Sequence, residues 1–270
     1  MSRPIIDSIL DLLLAPACMG CAMRCAERPR RDVAICASCL ACLGGESSRC
    51  RVCAHQCASG LCAECRGRRP AFDRTIALAD YRPPLDRIVH ALKYRGELSI
   101  ARGLGALLAG RIEPVAPIGT APASATQDWG PSEPAAIGRR SDEIPLLTAV
   151  PLAPARLSER GFNQALEIAR SVGRARGLRV DAAAIRRVRW EVPQARLDPD
   201  SRRAHAEGAF EADPLRVAGR AVWVVDDVIT TGATLEAVAA ALKRAGARSV
   251  TNLVIARTSV DHVQRRSGTA

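Results

Sequence analysis

Between Ala221 and Thr234 the chain reads AVWVVDDVITTGAT, an apolar run that ends on two adjacent carboxylates and a loop of small residues. Val222, Trp223, Val224 and Val225 are β-branched or aromatic and do not alternate with polar residues, the pattern of a parallel strand buried on both faces. This stretch is expected to be a central strand. From Thr234 to Ala245, Leu235, Val238, Ala239 and Leu242 recur at helical spacing, and Gly246 stands where a C-cap belongs. The loop therefore joins a strand to a helix, which commits the chain to an α/β fold with that loop at the carboxyl end of the sheet.

Open α/β sheets bind ligands at that end, and the free amides of the loop and the helix N-terminus favour phosphate. Gly232 lets the backbone approach an anion closely. Thr230, Thr231 and Thr234 add hydroxyl donors without charge, while Asp226 and Asp227 are acceptors suited to two vicinal hydroxyls and to a magnesium shell. Together they fit a ribose 5-phosphate. A Walker A loop is excluded by the missing Gly-Lys pair and a dinucleotide fingerprint by the missing glycines. The plain alternative is a buried strand whose two Asp residues cap the next helix, but phosphate or a cap alone does not call for Asp-Asp.

These residues resemble the signature of the type I phosphoribosyltransferases: a hydrophobic strand, two acidic residues and a T-T/S-G-x-T loop. The resemblance implies a Rossmann-like parallel-sheet core and a site for 5-phosphoribosyl 1-pyrophosphate (PRPP). Asp226 and Asp227 would meet the ribose hydroxyls, Val228, Thr230, Thr231, Gly232, Ala233 and Thr234 the 5-phosphate, and magnesium the pyrophosphate. Transfer would pass through an oxocarbenium-like ribose, promoted by positioning and charge stabilisation. No Ser/His/Asp set competes.

The pyrophosphate needs a partner loop, and LLTAVPLAPARLSERGFNQ at Leu146 to Gln164 is the candidate. Leu146 to Val150 reads as a strand that Pro151 and Pro154 break. Arg156 and Arg160 supply forks for bidentate phosphate contacts, and Gly161, Phe162, Asn163 and Gln164 open a helix that runs on through Ala165, Leu166, Ile168 and Ala169. Following V-P-L-x-P, the string R-L-x-x-R-G-F-N-Q is similar to the ComF (competence protein F) family, a branch of the type I phosphoribosyltransferases. Further matches are His90 to Gly96 (HALKYRG), Gln194 with Leu197, Arg202, and Ala209 with Phe210. Pro151, Arg156, Arg160, Asn163 and Gln164 are the expected pyrophosphate residues. Lys93 and Arg95, at the end of a helix expected from Leu85 to Tyr94, either reach the anion or complement the helix dipole. The segment around Gln194 is the expected acceptor region. It departs from the family pattern, with Glu191 where Thr is usual and His205 where Asn is usual. His205 has a near-neutral free pKa and invites a general-base reading, against which Arg202 and Arg203 argue for an exposed helix.

All eleven cysteines precede residue 66, and eight of them form four C-x-x-C pairs: Cys18/Cys21, Cys36/Cys39, Cys50/Cys53 and Cys62/Cys65. Zinc ribbons surround one tetrahedral ion with two such knuckles, so four in series predict two structural four-cysteine zinc sites. Sequential pairing is the simplest scheme, with interleaving open. Disulfides need an export route, and Met1 to Leu14 does not provide one: Asp7 and Asp11 interrupt an otherwise amphipathic helical face. A double zinc ribbon is also what the ComF resemblance implies. Cys25, Cys42 and Cys57 are left as free thiols or packing residues. A segment this short cannot bury enough core without metal.

The expected organisation is a helix and double ribbon at 1–68, a phosphoribosyltransferase domain at 69–260 and a tail at 261–270. The Pro/Ala/Ser/Thr/Gly-rich stretch 114–143 has no apolar periodicity and reads as a disordered insertion. The net charge of +11 rests on arginine, since Lys93 and Lys243 are the only lysines. That bias, with Arg66, Arg68 and Arg69 beside the ribbons, permits single-stranded DNA as a partner, although aromatic platforms are scarce there. No segment is apolar and long enough to span a membrane, and a bacterial cytoplasm is the expected setting. Two functions fit: a magnesium-dependent phosphoribosyltransferase, linked through the family to DNA uptake, or a non-catalytic PRPP sensor that holds single-stranded DNA. Competence or DNA-processing proteins are expected partners of either.

Overall fold

The computed structural model describes residues 18–23, 35–43, 48–112, 144–188 and 208–258. Expectations that rest on Met1 to Leu14, Cys25, the insertion 114–143, Glu191, Gln194, Leu197, Arg202, His205 and the tail lie outside those residues.

Four parallel strands make the central sheet: β1 (Arg74–Asp80), β2 (Leu146–Ala149), β5 (Ala221–Ile229) and β6 (Ser249–Arg257), in the order β1-β6-β5-β2. A two-stranded antiparallel sheet, β3 (Ile185–Arg187) with β4 (Phe210–Ala212), stands apart. The helices are α1 (Ala37–Leu43) and α2 (Ala63–Gly67) in the cysteine-rich region, then α3 (Leu85–Arg95), α4 (Leu98–Arg111), α5 (Pro154–Arg160), α6 (Gln164–Arg176), α7 (Pro214–Val217) and α8 (Ala233–Arg244). None is long and apolar enough to cross a membrane.

Strand side chains alternate between faces, and the core divides accordingly. Leu147, Ala149, Val225, Leu253 and Ile255 face α3, α4 and α6. Leu146, Val222, Val224, Val250 and Val254 pack in a second cluster with α8, β3 and β4. The first face is tight: a Cβ on Gly105 of α4 would fall 2.4 Å from Ser171 Cβ of α6, and the Ser171 hydroxyl donates to the Arg102 carbonyl at 2.6 Å.

The cysteine-rich module is divided between the same two cores. Cys18, Cys36 and Cys39 join the α3/α4/α6 cluster, and Arg111 of α4 donates to the Leu43 carbonyl at the end of α1. Cys50, Cys53, Cys62 and Cys65 belong to the α8 cluster. This second half is tied to β1: the Thr75 amide donates to the Arg51 carbonyl, and Arg49 pairs with Asp80 at 2.7 Å.

Candidate functional site

The acidic pair lies inside β5, not after it. The strand runs through Asp226 and Asp227 to Ile229, held in register by β6 as far as Ile229 opposite Arg257. The two carboxylates therefore diverge, Asp226 on the side of Val224 and Asp227 on the side of Val225. Asp227 is buried. Its Oδ1 lies 3.2 Å from Lys93 Nζ at the end of α3, and its Oδ2 accepts from Gln164 Nε2 at 2.9 Å at the start of α6. Asp226, partly buried, accepts the Asp227 amide at 2.8 Å. Burial pushes its carboxyl up and the charge of Asp227 adds to that, while the Asp227 amide and Lys93 pull it down; the net position is about 7.

Past Ile229 the chain turns through Thr230, Thr231 and Gly232, the last at φ 83°, and enters α8 at Ala233. Only a residue without a Cβ takes that left-handed conformation cheaply. Thr231 Oγ1 accepts the Ala233 amide at 3.4 Å, and Thr230 and Thr234 are exposed. The loop is gripped from below by a residue the sequence did not single out. Arg257, buried at the end of β6, donates to the carbonyls of Ile229 and Thr230. Thr258 adds its amide to the Ile229 carbonyl at 3.1 Å. No motif marks Arg257; its role depends on β5 and β6 ending together. Against this loop lies the second cysteine cluster, leaving a cleft of about 60 Å3 lined by Cys53, Cys65, Thr231, Gly232, Glu236 and Arg257.

On the facing loop, Pro151 is partly buried and α5 follows, with Arg156 exposed on it and without a partner among the described residues. Arg160 sets its guanidinium 5.4 Å from the centre of the Tyr94 ring, a cation–π distance, and its Nε is buried without a hydrogen-bond partner. The Asn163 side chain is committed to structure: Oδ1 caps α6 by accepting from Ala165 and Leu166, and Nδ2 donates to the Val150 carbonyl. Gln164 gives its amide nitrogen to Asp227 while its Oε1 stays buried and unpartnered. Lys93, Gln164 and Asp227 thus meet, and Arg160 rests on Tyr94, the residue that follows Lys93. Arg95 is exposed on the neighbouring turn.

The cysteines fall into two groups, Cys18, Cys21, Cys36 and Cys39, and Cys50, Cys53, Cys62 and Cys65, with the sulfurs of each group within 4.8 Å of one another. Sequential grouping is the one adopted, and every described cysteine is a free thiol. Zinc–sulfur bonds of about 2.3 Å in a tetrahedron require sulfurs about 3.8 Å apart. Cys21 and Cys36 are separated by 3.9 Å and Cys53 and Cys62 by 3.6 Å, so the donor set fits. Burial pushes the Cys18 thiol up, but the amides of Cys36, Cys21 and Gly20 together bring it down to about 6. Cys50 is lowered similarly, its burial outweighed by the amides of Cys53, Cys62 and Val52. Burial and neighbouring thiols raise Cys39 and Cys65 instead. Crowded thiols that split in this way are ones a divalent cation would allow to ionise together.

The phosphoribosyl transferase domain model matches residues 161–268, which span the acidic strand and its glycine-turned loop, and the chain is a phosphoribosyltransferase-like protein. The DNA utilization protein YhgH of Salmonella typhi is 29% identical over 248 residues, covering 91% of this chain and 93% of that protein. Its counterpart in Salmonella typhimurium is 30% identical over 229 residues, covering 83% and 90%. Competence protein F of Haemophilus influenzae is 28% identical over 194 residues, covering 70% and 75%. The chain belongs to the ComF family.

Proposed function

We propose that the protein binds PRPP with magnesium at the carboxyl end of β5 and transfers its phosphoribosyl group with release of pyrophosphate. One observation carries this reading: an acidic pair on an internal parallel strand is followed directly by a pinned, glycine-turned loop at the N-terminus of α8, where backbone amides favour phosphate. The carboxylates, one on each side of β5, would accept the hydroxyls of a ribose that straddles the strand, and the unpartnered Gln164 Oε1 beside Asp227 offers a further acceptor. Residues 228–234 would cradle the 5-phosphate. Arg156 and Arg160, the latter with an unused Nε, would take the pyrophosphate with Pro151 and Asn163 shaping their loop. Magnesium, when bound with the pyrophosphate, supplies charge neutralisation to the leaving group. Lys93 would then exchange its contact with Asp227 for one with the substrate, leaving Asp227 free to stabilise a cationic ribose.

The names of the relatives, DNA utilization protein and competence protein F, favour a setting in DNA uptake and keep a second reading, a PRPP sensor that handles single-stranded DNA without transfer. Titration with PRPP and magnesium, with pyrophosphate release followed over a panel of bases, nucleosides and single-stranded DNA, separates the two. Acceptor-dependent release is expected; saturable binding without release favours the sensor. Asp226→Ala with Asp227→Ala should abolish PRPP binding while leaving metal content and fold intact, and unchanged affinity sinks the assignment.

A further inference from the structure

A second cleft, of about 490 Å3, opens between the first cysteine cluster and the outward face of α3. Its volume lies within the range of small-molecule sites. Met19 and Gly20 of the Cys18/Cys21 knuckle form one wall, and Arg87, His90 and Arg95 of α3 another, with Tyr81 also lining it. The knuckle is seated firmly: a Cβ on Gly20 would come within 2.9 Å of both Cys39 Sγ and Pro84 Cβ, the N-cap of α3. The inner face of α3 is fully packed by Leu85, Ile88, Val89 and Leu92. Packing therefore does not dictate which residues face the cleft.

Those residues make an uncommon combination. Arg87 and Arg95 have no carboxylate partner among the described residues, and the one carboxylate in the lining, Asp86, accepts the Arg87 amide with its Oδ1. The wall is thus net positive. Beside the guanidinium groups stand an imidazole, a phenol and a thioether, flat or polarisable surfaces that suit an aromatic ring. Two guanidinium forks suit a phosphate. An inorganic anion would have no use for the rings, and an apolar ligand none for the arginines.

We propose that this cleft binds a nucleoside monophosphate, free or as the terminal nucleotide of a strand, with its phosphate on Arg87 and Arg95 and its base against His90 and Tyr81. The cleft and the acidic strand share one helix without sharing side chains: the His90 and Tyr94 rings lie 4.6 Å apart, Arg160 rests on Tyr94, and Lys93 of the same helix holds Asp227. The site does not depend on the PRPP reading.

Equilibrium dialysis of the metal-loaded full chain against AMP, adenosine and inorganic phosphate tests it. AMP should saturate one site, with adenosine and phosphate each weaker by about tenfold or more, the loss expected when charge-assisted bonds or the stacked ring are removed. Arg87→Ala and Arg95→Ala, exposed positions whose folding is checked by thermal melting, should each weaken AMP by about tenfold, and His90→Ala should weaken AMP more than phosphate. Asp226→Ala with Asp227→Ala should leave AMP binding unchanged. Absence of AMP binding, wild-type affinity in both arginine variants, or loss of AMP in the double aspartate variant overturns the proposal. Competition by a 5′-phosphorylated oligonucleotide identifies a strand end as the ligand, and its failure to compete identifies the free nucleotide.

Discussion

Asp227 is a buried carboxylate whose two oxygens are shared between Lys93 and Gln164, while its neighbour Asp226 faces the other way with one amide for company. The difference shows in the carboxyl of Asp226, raised by burial and by Asp227 to about 7. A carboxyl with a folded pKa above its unfolded value of about 3.9 holds its proton more tightly in the native state. Its stabilising effect is complete only while it is protonated, and is lost as pH rises from about 4 to about 7. Asp226→Asn should therefore stabilise the ligand-free protein at pH 8 by on the order of 1–3 kcal/mol and change little at pH 4; denaturant melts at the two pH values measure this, and an equal effect at both would contradict it. The pair and its loop were legible in the sequence because strand, acids and glycine are contiguous. The partners are not: the sequence offers Lys93 as an anion contact or a dipole complement, and its ion pair with Asp227 depends on where α3 ends in space. Arg257 left no sequence signal at all.

At the level of elements, periodicity located the long helices well. α3 and α8 begin and end within one residue of the expected Leu85 to Tyr94 and Thr234 to Ala245. It missed α5, because Pro151 and Pro154 read as breakers. Pro154 in fact occupies the first turn, where a missing amide costs nothing. The β3–β4 pair was also missed, since three-residue strands carry too little pattern. β5 outruns its apolar core through two residues of low strand propensity because pairing with β6 overrides propensity. The closest helix contact is a sharp test of the packing. Gly105→Val would drive side-chain atoms into Ser171 and the Ile168 carbonyl, and overpacking of this kind costs about 1–3 kcal/mol. A lower Tm with unchanged metal content is expected; a neutral or stabilising result would mean that α4 and α6 do not approach so closely.

Across the described residues, each face of the sheet has its own core, one taking in three cysteines of the first cluster and the other all four of the second. Zinc analysis of purified protein should give two ions per chain, and Cys53→Ser should lower that to about one and reduce Tm, since structural zinc is folding free energy. A metal-free protein that melts like the wild type would refute the structural role. The knuckles were legible from spacing alone, whereas their division between two faces was not, because it depends on how β1 enters the sheet. β1 borders β6 and no other described strand, although β6 is the last described strand in sequence and also carries Arg257, which pins the loop. On a chain emerging from the ribosome, the first strand must wait with an open edge while the others are made, a slow long-range closure. A product cut short before Ser249 would hold all eight knuckle cysteines yet have neither a closed sheet nor an anchored loop, so metal loading is no proof that synthesis has finished.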